Sequence, residues 1–159
     1  MARIHLKIHS SDIPALRKAT DKIKLEAAKE LRKSVAEATA TLFNEVVRTT
    51  PIGKNYANKS GGNLQAGNRM NIKGLRGHIW NPVVYAKWVH YGTSPYTIRP
   101  KAAKALAFRI NGRLIFTKKV NHPGIKANPW YDKALDRMQR EIDKINSEGA
   151  DRVAALLTK

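Results

Sequence analysis

The 159-residue chain contains no cysteine, so disulfides, thiolate nucleophiles and cysteine-ligated zinc or iron–sulfur centres are excluded from its chemistry. It has no apolar run of the length a membrane span needs, and Met1-Ala2-Arg3-Ile4-His5 opens without a signal-peptide core, so a cytosolic site of synthesis and no membrane partner are expected. Aromatic residues make up only 7% of the chain. The most informative absence is of negative charge. All twelve carboxylates fall into two blocks, Asp12 to Glu45 and Asp132 to Asp151, and the 86 residues from Val46 to Tyr131 hold none. General acid–base pairs of carboxylates, and Asp or Glu ligands for magnesium or calcium, therefore cannot come from the middle of the chain.

What is present in that middle is positive charge. Fifteen of the thirty Lys and Arg lie there, and the whole chain carries a formal net charge of +18. Ordinary surfaces mix signs, so a one-signed stretch of this length points to a polyanion or an acidic protein face as partner. The candidate contact residues are Lys54, Lys59, Arg69, Lys73, Arg76, Lys87, Arg99, Lys101, Lys118 and Lys119.

Periodicity predicts an α+β fold: an antiparallel sheet packed by a long N-terminal helix and a C-terminal helix, with a long loop between the first helix and the sheet. Alternation of Ile4, Leu6 and Ile8 with basic residues predicts a strand within residues 1–11. A helix is expected over 12–49. Pro14 suits its first turn, Ile23, Ala27, Leu31, Val35, Ala38, Leu42 and Val46 make a stripe facing the sheet, and Pro51 stops it. Residues 50–63 hold three glycines and no apolar period, and read as an extended loop that docks a partner. The sheet is expected over 64–127, with strand-like runs at 64–72 and 77–80 and an ambiguous segment at 83–91. Its clearest feature is a hairpin turning at Asn111-Gly112. A C-terminal helix over 128–157 carries Leu135, Met138, Ile142 and Ile145 on one face, with a bend or frayed turn expected at Gly149. No linker divides the chain, which reads as a single domain over 1–159.

No Walker loop, nucleophile elbow, His-Glu-x-x-His or dinucleotide fingerprint occurs. His5 and His9 have the spacing of a helical metal pair, but on a strand they merely share a solvated face. No cofactor or metal is expected. His90, after Trp88-Val89, reads as a packing or interface residue, and Trp80, Trp88 and Trp130 suit either a core or an interface.

A series of short motifs runs in order through the chain: Thr50-Pro51, Gly62-Asn63-Leu64, Tyr85-Ala86-Lys87-Trp88-Val89-His90-Tyr91-Gly92-Thr93, Ile98-Arg99-Pro100-Lys101, His122-Pro123-Gly124 and Ala127-Asn128-Pro129-Trp130. In this order they resemble the neck, tail-completion or minor tail proteins of long-tailed bacteriophages. The residues that carry the likeness are Pro51, Tyr85, Gly92, Thr93, Pro100, His122, Pro123, Gly124 and Pro129. One position departs, because the family has an acidic residue where this chain has His90. The resemblance implies a structural virion protein without catalytic residues. It would form a homo-oligomeric ring, commonly a hexamer, between the head connector or stopper and the tail terminator or tail tube, with DNA passing nearby. Two other readings remain open at this level: a general basic nucleic-acid-binding protein, and a small toxin-type endoribonuclease using His90, Tyr91, Arg99 and Lys101.

Overall fold

The computed structural model describes residues 12–53 and 61–158. The strand expected within residues 1–11, with His5 and His9, lies outside them, as do Lys54, Lys59 and most of the long loop. In chain order the elements are α1 (Asp12–Thr49), α2 (Asn63–Ala66), β1 (Arg69–Lys73), β2 (Arg76–Trp80), α3 (Ala86–Tyr91), β3 (Tyr96–Ile98), β4 (Leu106–Ile110), β5 (Arg113–Thr117), β6 (Val120–His122) and α4 (Trp130–Leu157). The fold is α+β, with a long helix at each end and antiparallel pairs between.

At 38 residues, α1 is about 57 Å long from its rise per residue. Its end is built by two threonines. Thr49 Oγ1 donates to the Glu45 carbonyl at 2.8 Å and Thr50 Oγ1 to the Val46 carbonyl at 2.6 Å, just before Pro51 withholds the next amide.

The principal partner of α1 is the antiparallel α4, not a sheet, with β1 and β2 covering part of its flank. Three joints along the pair fix the register. Thr49 Oγ1 reaches the Trp130 carbonyl at 3.2 Å, Arg137 reaches Glu45 at 3.2 Å, and Arg152 reaches Glu30 and Ser34, each at 3.0 Å. The first turns of α1 project past the end of α4, leaving Leu16 and Leu25 exposed. The apolar stripe read from the sequence is therefore only partly buried. Small polar residues, Ser34 and Thr39, occupy buried positions beside it. Their hydroxyls donate to the Glu30 and Val35 carbonyls four residues back, so burying them leaves no donor unpaired.

Their small size has a purpose. A Cβ built at Gly149 would fall 2.8 Å from Ser34 Cβ, and one at Gly77 would fall 2.8 Å from Thr39 Cβ. Gly149 is buried and α4 continues through it, contrary to the bend or fraying its identity suggested. It is there because the Ser34 side chain of α1 fills the space a side chain would need.

The strands form three two-stranded antiparallel ladders among the described residues: β1 with β2, β3 with β6, and β4 with β5. The run at 64–72 divides into α2 and β1, and the ambiguous 83–91 segment contains α3. The Asn111-Gly112 turn forms as expected, with both residues at positive φ (49° and 82°) and Ile110 paired with Arg113 across it. β3–β6 and β4–β5 are nested, so residues 93 to 125 make one interrupted ribbon with that turn at its tip. At its root Thr93 and Ile125 bridge, flanked by Gly92 (φ 77°) and Gly124 (φ 88°). A side chain at either glycine would strike the opposite strand, within 2.6 Å of the Ile125 carbonyl for Gly92 and 2.9 Å of Ser94 for Gly124.

The core lies where these parts meet. Val46, Leu64, Ala86, Trp130 and Ala134 are buried together, with Leu42, Ile79, Val83, Val89 and Tyr131 packed around them. Trp130, Val46 and Ala134 are its fully enclosed members, and truncating a buried tryptophan to alanine costs about 3–5 kcal/mol.

Candidate interaction surface

One motif residue, Thr50, meets a joint of the scaffold that is built by residues outside the motifs. Asn68 is its hub. Its amide nitrogen donates to Thr50 Oγ1 at 2.8 Å and to the Gln65 carbonyl at 3.1 Å, and its oxygen accepts from Asn81 at 3.0 Å and from the Tyr131 hydroxyl at 3.4 Å. Asn81 in turn donates to the Leu64 carbonyl at 2.6 Å, and its oxygen accepts from the Val83 amide at 3.0 Å. Thr50 just before Pro51, the short α2, the approach to α3 and the first turn of α4 are thus tied by side-chain amides. Sequence reading missed Asn68 because it falls inside the strand-like run at 64–72, and Asn81 because an isolated asparagine before a proline looks like a turn former.

The other motif residues act locally. Tyr85 caps the start of α3 and is half exposed, while its carbonyl accepts from the Val89 amide at 3.1 Å. Gly92, Thr93 and Gly124 build the root of the ribbon. His122 stacks on Tyr96 with ring centroids 4.8 Å apart, and its Nδ1 accepts from the Gly124 amide at 3.0 Å. Pro123 is exposed beside it, and Pro100 follows β3. Pro129 starts α4, its carbonyl accepting from the Lys133 amide at 3.1 Å.

His90 is buried against Trp130 and Tyr131, with ring centroids 5.0 and 5.7 Å away, and Tyr91 meets its edge at 4.5 Å. Its Nε2 lies 3.6 Å from a carboxylate oxygen of Asp132 on α4. A carboxylate therefore stands beside this position even though α3 carries none. Tyr91 is exposed, and no hydrogen bond or ring contact joins Arg99 or Lys101 to the His90–Tyr91 pair. Trp130 is core, whereas Trp80, stacked on His78 at 5.1 Å, and Trp88, with Lys87 Nζ 5.4 Å above its ring, are partly exposed.

The basic residues fall into separate groups. Lys73 and Arg76 are cross-strand neighbours at the turn of β1–β2. Arg69, on the same hairpin, folds back onto the Ala66 and Asn68 carbonyls at 2.7 and 2.9 Å. Lys87 is exposed on α3. Arg99, Lys101, Lys118 and Lys119 cluster at the interruption of the ribbon, beyond the Ile98–Val120 pair. The ion pairs among the described residues all involve the helices, and none includes any of these eight side chains. The described His, Asp and Glu residues form no group able to hold a metal, and no described helix is long and apolar enough to cross a membrane.

Comparisons with protein-family models, with curated proteins and with solved structures return no match.

Proposed function

We propose that this chain is a structural ring subunit of the neck of a long-tailed bacteriophage, seated in the virion between head connector and tail. The reading starts from the ordered motifs. The observation that carries it furthest is what those motif residues do: they make the stop of α1, the root of the ribbon and the entry to α4. Residues held for such work suit a subunit that presents surfaces to neighbours and performs no chemistry. The unpaired basic groups on the β1–β2 hairpin and the ribbon then meet acidic neighbouring proteins or passing DNA. Cryo-microscopy of particles from the host is the test. Density for the chain is expected at the head–tail junction, and its placement elsewhere overturns the proposal.

A general nucleic-acid-binding role is the second reading, favoured by the basic side chains that lack carboxylate partners. It requires log affinity for duplex DNA to fall with log salt by about 0.9 per phosphate contacted. A flat salt response removes it.

A further inference from the structure

The β4–β5 hairpin has two unequal faces. Cross-strand pairing puts Leu106, Phe108, Ile115 and Thr117 on one side, all partly buried, and Leu106 and Phe108 share a recess with Ile98 and Val120. On the other side Ala107, Phe116, Arg109 and Leu114 are all exposed, Phe116 at 65% and Leu114 at 53%, with Ala107 also at the edge of that recess. No helix packs broadly on this hairpin. A lone two-stranded hairpin is marginal in water, so an uncovered apolar face at its tip is costly unless something covers it. Arg109 sits in the middle of that face. It donates to the Gly112 carbonyl at 3.3 Å and meets no carboxylate, because the ribbon has none.

The complementary surface lies on the same chain. Between α1, β2 and α4 is an open apolar groove of about 410 Å³, walled by Leu42, Ile79, Tyr131, Leu135 and Ile142. Leu135 on its rim is 43% exposed. Asp132 also lines it, and Asp136 and Asp143 follow at the i+4 and i+11 spacing that continues one stripe along α4, all three exposed. An acidic stripe thus borders the apolar groove, and the basic apolar hairpin face lies on an element with no acid at all.

We infer that the Ala107–Arg109–Leu114–Phe116 face of one copy docks in the α1–β2–α4 groove of a second copy, with Arg109 toward Asp132 and Asp136. DNA would satisfy Arg109 but offers nothing to Phe116 and Leu114, whereas the groove takes both. The two surfaces differ, so the contact is head-to-tail, the type that closes into a ring when the rotation permits. The inference rests on the reading of the chain as a ring subunit and supplies the contact that such a subunit needs.

The absence of cysteine makes the test direct. Purified full-length Leu114→Cys and Leu135→Cys variants, oxidised as a mixture, should give a disulfide-linked band at twice the monomer mass on a denaturing gel, while each variant alone runs at the monomer mass. Ala107→Cys with Gln139→Cys is the second pair, should either leucine variant be insoluble. Self-linking of a hairpin variant alone, or no linked band from either mixture, overturns the contact. Linkage in a chain that particle imaging finds away from the head–tail junction overturns the neck assignment alone. No linkage in a chain found at that junction overturns this contact alone.

Discussion

The buried carboxylate of Glu45 on α1 accepts a hydrogen bond of 3.2 Å from Arg137 on α4. The same carboxylate takes two shorter bonds, 2.7 and 2.8 Å, from Arg48 one turn along its own helix. Glu45 is held below its ordinary value of 4.5, chiefly by the Arg48 hydrogen bonds and then, against the opposing effect of burial, by Arg137. A depressed carboxylate contributes stability that is present above its unfolded value and lost as pH falls through the folded one. Both arginines are more than half exposed, so solvent screening keeps the contribution within the range of exposed ion pairs, about 0–1 kcal/mol. Glu45→Gln should lose that much in urea unfolding at pH 7. The gap from wild type should shrink as the pH drops well below 4.5.

The Gly149–Ser34 contact makes a second prediction, in which two effects oppose each other. Alanine in place of a helical glycine gains up to about 1 kcal/mol from propensity. Overpacking a tight contact costs about 1–3 kcal/mol. With a Cβ only 2.8 Å from Ser34 Cβ the clash should dominate, so Gly149→Ala is expected to lower the urea midpoint. Adding Ser34→Gly should recover part of the loss by returning the space.

Asn68 supplies a third. Asn68→Ala removes the donor to Thr50 and Gln65 and the acceptor for Asn81 and Tyr131, stranding polar groups at a buried joint. Each group left unsatisfied costs about 1–3 kcal/mol, and neighbouring losses in one network do not simply add. The expected result is a drop in midpoint larger than that of Thr50→Ala. A double-mutant cycle between positions 68 and 81 should show coupling.

Tyr131 gives a prediction at alkaline pH. Burial pushes its phenol above the ordinary value of 10.0. A raised phenol contributes stability that is complete below the unfolded value and declines as pH rises through the folded one. Titration of phenolate absorbance should show one late-ionising tyrosine that Tyr131→Phe removes. The same variant should flatten the alkaline fall in stability.

The elements most legible in the chain were those governed by local rules. Helix α1 stops where Pro51 and two threonines make it stop, α4 follows its three-to-four spacing, and Asn111-Gly112 forces the turn between β4 and β5. The segment around Leu64 was harder to read, because four residues of helix leave no period to detect. α3 was ambiguous because Trp88, Val89, His90 and Tyr91 suit helix and strand alike.

Of the candidate surface, the sequence by itself determined the charge: a carboxylate-free middle and acids confined to the helices follow from composition alone. Only the tertiary structure decided what that charge borders. Pairing register exposes Phe116 and Leu114 around Arg109, and helix spacing sets Asp132 and Asp136 beside a groove walled by α1, β2 and α4. Neither surface exists until segments far apart in the chain are packed together. The identity of Gly149 likewise suggested a weak point in α4, and its function as the close contact with Ser34 arises only when a helix that begins more than a hundred residues earlier lies against it.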